Sequence, residues 1–526
     1  MEKLLAVFLS FFLLSCSPFS GKLSIAPKGS ATLAKTIYPP GLAAIFSGSE
    51  GHLYMMTSSQ MVELDPSKSS SLTEYLVAGI TPTLQVTNEQ KIKFEPDFAP
   101  MKWVHIGNDK FLLLIGDIGS PAESVPVIGA IDGLLYDGVE GTEVVQKRLV
   151  DLGKGVLIYA DVRQSPDLRH YGMTLWTSGS GGGVQISTTF LDTALQTQSK
   201  RVEKEYPTLD PGTNLFDLLI PNQGGTILIH STLSAVGSTL HLDYASESHE
   251  EITANIPFPT KLARKKVAVG GVTTAFSGEE ELAVAAGLVD EDENLKGIYL
   301  TRINYTTGTI ISHDSLLLDY PKARELTEKA NMPHILPRKI MFSEDGTIYV
   351  VAEGLEMKKV NTTAYEMTDD EGIVDKTIYQ VKRKGEDYYE AVLGDLILFS
   401  FSSEGKYQWG ERIIENDEGW FYIQAAVWEA SPHRQMHYAL QDYGASVTLR
   451  RGKFVAVYNK DQDLRYAELP LESEVREVKD YELVKSSGIG FANQSGVFWQ
   501  NDSTLLVSGF TGLFPTTYYL MQVVIP

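Results

Sequence analysis

The chain has 526 residues, of which 43% are hydrophobic, 10% aromatic and 21% charged, a composition that describes a folded body and excludes a disordered or coiled-coil chain. Its 45 basic and 67 acidic residues leave a formal charge of −22, so nucleic acid, whose binding depends on Lys and Arg displacing counterions from phosphates, is not an expected partner. The length accommodates roughly two to four ordinary domains or one large closed β architecture.

The N-terminus places one basic residue, Lys3, before an apolar run from Leu4 to Leu14 that ends in Ser15-Cys16, the layout of a secretory signal. A bilayer span needs about 20 residues at 1.5 Å each, so the run is too short for a transmembrane anchor. Leu13-Leu14-Ser15-Cys16 resembles the bacterial lipobox. That resemblance implies that residues 1–15 are a lipoprotein signal peptide and that Cys16 is the lipidation site and new N-terminus. Cys16 is also the only cysteine, which rules out an intramolecular disulfide. Acyl chains on Cys16 would anchor firmly, since each buried methylene contributes about 0.8 kcal/mol and stable anchoring takes roughly two chains. Ser17 follows the cysteine where an Asp would mark inner-membrane retention, and no acidic cluster follows it. By analogy with envelope sorting, the expected location is the bacterial cell envelope, at the outer membrane facing the periplasm.

Residues 16–35 are rich in Ser, Gly, Ala, Pro and Lys without apolar periodicity and read as the lipidated cysteine and a flexible spacer. From 36 to 526 the chain repeats one theme, a polar turn with Gly, Asp or Asn followed by a short run of apolar, aromatic or β-branched residues. Each copy reads as a turn feeding a strand. Copies begin at Phe46, Gly107, Gly153, Asn222, Phe276, Phe342, Asn416, Arg450 and Gln500. Runs such as Ile348-Tyr349-Val350-Val351-Ala352 do not alternate with polar residues, so both faces must be covered by other sheets. The expected fold is all-β, a β-propeller of about seven or eight blades, with tandem β-sandwiches as the alternative. Two segments carry helix signals, 321–330 and 431–444, and both read as insertions between strands.

The stretch from Gly394 to Val427, continued from Gly452, places Gly405, Trp409, Arg412, Asn416-Asp417 and Asn459 in an order that resembles β-propeller-like envelope proteins of the Bacteroidota. The resemblance covers about 80 residues, consists of turn chemistry, and implies fold and envelope location without an activity.

Candidate chemistry is sparse. His433 and His437 would share a helix face at i and i+4, but no Glu follows the first, and in a strand they would stand about 13 Å apart. Asp290, Asp292 and Asn294 have the oxygen spacing of a calcium loop, but Leu295 and Thr301 replace its Gly and Glu; Asn459, Asp461 and Asp463 fail likewise at Leu464. Gly179 to Gly183 lacks the Lys-Ser/Thr of a phosphate loop, and Ser180 has no helix behind it to form a nucleophile elbow. No catalytic, cofactor-binding or metal residue is therefore assigned, and no cofactor is expected. The expected function is a membrane-tethered binding or scaffold lipoprotein that recognises a protein or a polysaccharide. The alternative is a carbohydrate-active or other hydrolase with carboxylates converging on an axial pocket.

Overall fold

The computed structural model describes residues 27–36, 43–48, 53–62, 71–81, 84–93, 98–107, 109–117, 129–152, 157–178, 184–192, 194–197, 202–206, 213–234, 237–246, 251–259, 261–262, 265–289, 295–318, 326, 335–360, 367–368, 374–375, 388–414, 420–424, 445–460, 463–473, 476–484, 489–491, 497–511 and 516–525. Their strands pair into eight antiparallel blades arranged in a ring: 43–93, 98–151, 157–206, 213–256, 268–317, 335–414, 446–484 and, closing the ring, 489–524 with Pro27–Thr36. Numbered in that order as blades 1 to 8, they form an eight-bladed β-propeller and not tandem sandwiches.

In each of the first seven blades the main strands follow one another from the axis outwards. Second strands such as Ile348–Val360 are apolar on both faces within the ring because each is sandwiched between neighbouring blades. Ile348, Val350 and Ala352 of blade 6 join a cluster with blade 5, while Tyr349 and Val351 of the same strand join a cluster with blade 7. Burying each such side chain contributes roughly 1.5–3 kcal/mol, so the ring is held at its blade junctions.

Blade 8 takes its outermost strand from the other end of the chain. Pro27–Thr36 pairs antiparallel with Thr516–Val524, from Pro27 beside Val523 to Thr36 beside Thr516. The segment expected to be spacer through residue 35 is therefore part of the body from Pro27 onwards. Its lack of apolar alternation is misleading, because an outermost strand is held by backbone hydrogen bonds and needs no buried face.

The pairing registers give the ring two distinct faces. Turns joining first to second and third to fourth strands lie at one end, here the turn face; second-to-third hairpins and the connections between blades lie at the other, the link face. Pro27, beside Val523 and near Thr504, sits at the turn face. The three longest connections, 318–334, 361–387 and 415–445, all belong to or flank blade 6 and leave from the link face. Of the two helix signals, Leu326 is described, helical and buried between blades 5 and 6; the segment 431–444 lies outside the described residues.

Candidate functional site

The junction between blades 3 and 4 concentrates buried polar side chains. Blade 4 spends its apolar face on blade 5, through Ile227, Ile229, Leu240 and Leu242. Strand alternation turns His230, His241 and Asp243 to the opposite face, toward blade 3. Blade 3 mirrors this. Met173, Leu175 and Leu191 pack on blade 2, leaving Thr174, Trp176 and Thr188 on the side of blade 4.

Within blade 4, His230 Nε2 lies 2.8 Å from Asp243 Oδ2, and the Thr253 hydroxyl donates to Asp243 Oδ1 at 2.6 Å. The His230 ring stacks on His241 with centroids 4.9 Å apart. His241 Nδ1 is 2.8 Å from Asn255 Oδ1 and its Nε2 is 2.9 Å from the Thr232 hydroxyl. Since Asn255 Oδ1 can only accept, the network assigns the proton of neutral His241 to Nδ1 and makes Thr232 the donor to Nε2. Each of these contacts is matched donor to acceptor within one blade, an arrangement that fixes a polar face.

Nearer the axis, a second polar chain crosses the innermost strands. Arg163 Nε lies 2.6 Å from Asp161, and its Nη2 reaches Asp217 of blade 4 at 3.7 Å. Asp217 also accepts from the Thr274 hydroxyl of blade 5 at 2.8 Å, so one carboxylate links three successive blades. In blade 6 a β-bulge between Pro337 and Lys339 re-aims Arg338, which donates to Glu353 of the adjoining strand. The Thr273 hydroxyl of blade 5 donates to the Arg338 carbonyl, and Lys339 Nζ donates to the Val447 carbonyl of blade 7 at 2.8 Å. Burial, with the neighbouring Arg338 charge, pushes the Lys339 ammonium down to about 8.

Asp161, Asp217 and Glu353 are each engaged by a guanidinium or a hydroxyl. That is the chemistry of a cross-braced inner ring, and it differs from the open pair of carboxylates flanking a bond that glycoside hydrolysis uses. Between blades 5 and 6, at the turn face, a cavity of about 530 Å³ is lined by Arg302, Ser312, His313, Ser403, Glu404 and Lys406. Its Arg302 is already committed to the Ser403 carbonyl and to Glu281. Among the described residues no group of three His, Cys, Asp or Glu side chains could hold a metal.

The residues singled out from sequence fall differently. Cys16, the glycine run with Ser180, Asp290 to Asn294, Asn416-Asp417, and His433 with His437 lie outside the described residues. Asn459 and Asp463 bracket a hairpin, with Lys460 paired to Asp463. Gly405 takes φ +79° in the turn from Ser402 to Lys406. Trp409 lies under the Arg476 guanidinium at 4.3 Å, an interblade contact mirrored by Arg450 over Trp499 at 4.1 Å. Sequence reading missed His230, His241 and Asp243. Their signal is the alternation of His or Asp with Ile or Leu in Thr226–Ser234 and Gly237–Ala245, polar residues at period two on an otherwise buried strand.

No protein-family model and no curated protein sequence matches this chain. Among solved structures it is similar to the polysaccharide lyase Uly1, at 10% identity and TM-score 0.38 over 95% of this chain and 99% of that one. It is also similar to the C-terminal WD40 domain of Sif2, at 7% identity and TM-score 0.40 over 94% and 98%. A protein of unknown function from Bacteroides caccae matches at 11% identity and TM-score 0.27 over 64% and 89%.

Proposed function

We propose that this chain is a lipid-anchored binding protein of the bacterial envelope, held at the membrane through Cys16, that offers the link face of its propeller to a protein or polysaccharide partner. The supporting observation is the polarity of ring closure. Pro27 enters the body at the turn face, while the three longest connections leave from the link face. Ten residues separate Cys16 from Pro27. At no more than about 3.5 Å per residue they reach roughly 35 Å, so an anchor on Cys16 keeps the turn face nearer the bilayer. Loops carried by a rigid scaffold are where recognition concentrates. The cross-braced inner carboxylates favour binding over hydrolysis.

Fractionation of cells expressing the full chain tests the tether. The native protein is expected in the membrane fraction with an acylated N-terminal peptide beginning at Cys16, and Cys16→Ala in the soluble fraction. A mature N-terminus elsewhere, or membrane association unchanged by Cys16→Ala, would refute the anchor.

A further inference from the structure

Blade 6 extends beyond the ring. Its second and third strands, Ile348–Val360 and Tyr388–Phe401, keep pairing past the blade, with Leu355 to Val360 opposite Leu393 to Tyr388. Trp420–Gln424 adds to the far side of this extension, pairing with Tyr388 to Val392. The result is a three-stranded flap on the link face. One of its margins is Leu355 to Val360, a strand of about 20 Å. Among the described residues, none pairs with the outer side of that strand.

Strands that avoid partners usually carry Pro, a bulge or charge of one sign. This margin reads Leu-Glu-Met-Lys-Lys-Val, with opposite charges two residues apart and no Pro, and the irregularity of its pairing, between Glu353 and Leu355, lies at its base. That spacing is self-complementary. Two copies pairing antiparallel about a two-fold axis must have the axis perpendicular to the sheet, so one residue faces its own counterpart at the centre. A centre at Glu356 sets Glu against Glu; centres at Lys358 or Lys359 set Lys against Lys. A centre at Met357 instead sets Glu356 opposite Lys358 of the partner subunit, twice. Opposite charges directly across a strand pair are favourable and like charges are not, so one register stands out.

We propose that Leu355 to Val360 is a homodimerisation edge, pairing antiparallel with the same segment of a second copy of this chain in the register centred on Met357. Two three-stranded flaps then merge into one six-stranded sheet. This pairing is independent of the lipid anchor and would hold for the unacylated chain.

Sedimentation velocity of the purified full-length Cys16→Ala chain, from 1 to about 100 µM, tests it. The otherwise native chain is expected to associate to dimer within that range. Glu356→Lys and Lys358→Glu each place like charges opposite one another at both positions and are expected to weaken association at least tenfold. An equimolar mixture of the two variants restores opposite charges at both positions and is expected to dimerise again, which a misfolded variant could not do. A native chain monomeric throughout, single variants that associate like the native chain, or a mixture that stays monomeric would each overturn the proposal.

Discussion

Arg338 donates to Glu353 across the two innermost strands of blade 6, and their side chains are 1% and 0% exposed. A pair so completely withdrawn from water contributes little net stability while intact, but removing one partner strands the other charge. Arg338→Met or Glu353→Leu alone is expected to cost about 3–5 kcal/mol in urea unfolding. Combining the two should recover much of that loss. Additive losses in the double variant would show that the residues act independently.

His105 is held below the ordinary imidazole range by burial, with the Asp109 carboxylate partly opposing the shift. Its ring packs against Phe111 at 5.2 Å, and its Nε2 is buried with no hydrogen-bond partner among the described residues. Because the folded value is lower than the unfolded one near 6.5, the unfolded chain binds the extra proton first. This contribution to stability is present above pH 6.5 and is lost as pH falls through the folded value. His105→Phe should flatten that part of the acid limb in unfolding measured between pH 7 and pH 5. An unchanged slope would contradict the assignment.

Lys339 has the same sign of shift in a different window. Its folded value of about 8 lies below the ordinary lysine value of 10.5, so the folded state carries a penalty for the charged amine at neutral pH. Relative to Lys339→Met, the native chain should gain stability between pH 8 and pH 10, on the order of 2 kcal/mol. Parallel pH profiles for the two proteins would show that the ammonium is hydrated instead.

The His230–Asp243 contact predicts an unusual kind of loss. Asp243→Asn keeps the shape but alters what faces both His230 Nε2 and the Thr253 hydroxyl, 2.8 and 2.6 Å away. A cost of about 2 kcal/mol is expected, within the range for unmade buried hydrogen bonds. Leu228→Ala, on the His230 strand, should cost as much through lost packing. Only Asp243→Asn should shift the His230 imidazole resonances while leaving those of His105 in place.

Much of the ring was legible because blades repeat turn chemistry. Seven of the eight second strands follow a sequence copy of the turn theme: those starting at Leu53, Lys110, Thr226, Glu281, Ile348, Lys453 and Thr504. The eighth, Tyr171–Ser178, follows Ser165-Pro166-Asp167-Leu168, where Leu168 takes φ +59° at a place a glycine would mark. Leu84 and Leu195 adopt the same conformation in buried turns, where packing offsets the strain. Gly346, at φ +82° between Ser343 and Thr347, shows the ordinary form of this turn. The copy at Gly153 feeds a first strand and the copy at Asn416 feeds the flap. Ring closure by Pro27–Thr36 was not legible, because that strand is specified by the backbone of Thr516–Val524 more than by its own side chains. The polar junction of blades 3 and 4 stayed hidden for a related reason. Which face of a strand meets which blade depends on the ring, and only the ring brings Arg163 to Asp217.

Closure also makes a prediction about stability. Deleting residues 27–36 leaves Thr516–Val524 as an open margin and removes the strand pairing between the chain's two ends, leaving ring closure to the packing of Ile45 and Leu53 of blade 1 on Leu506 and Leu520 of blade 8. The thermal transition should fall by at least about 5 °C, and calorimetry should show it broaden. An unchanged transition would mean that the remaining interblade packing suffices.

The orientation of the tethered ring is tested most directly by cysteines placed on opposite faces of the membrane-bound protein. Asp151 and Leu317 are exposed at the link face, and Glu279 and Glu344 at the turn face. Each would be changed to cysteine and labelled with a 5-kDa maleimide polymer on membranes. Link-face labelling should match the rate measured in the soluble Cys16→Ala background, and turn-face labelling should be at least threefold slower than in that background. Equal rates at both faces, or slower labelling at the link face, would contradict the proposed orientation.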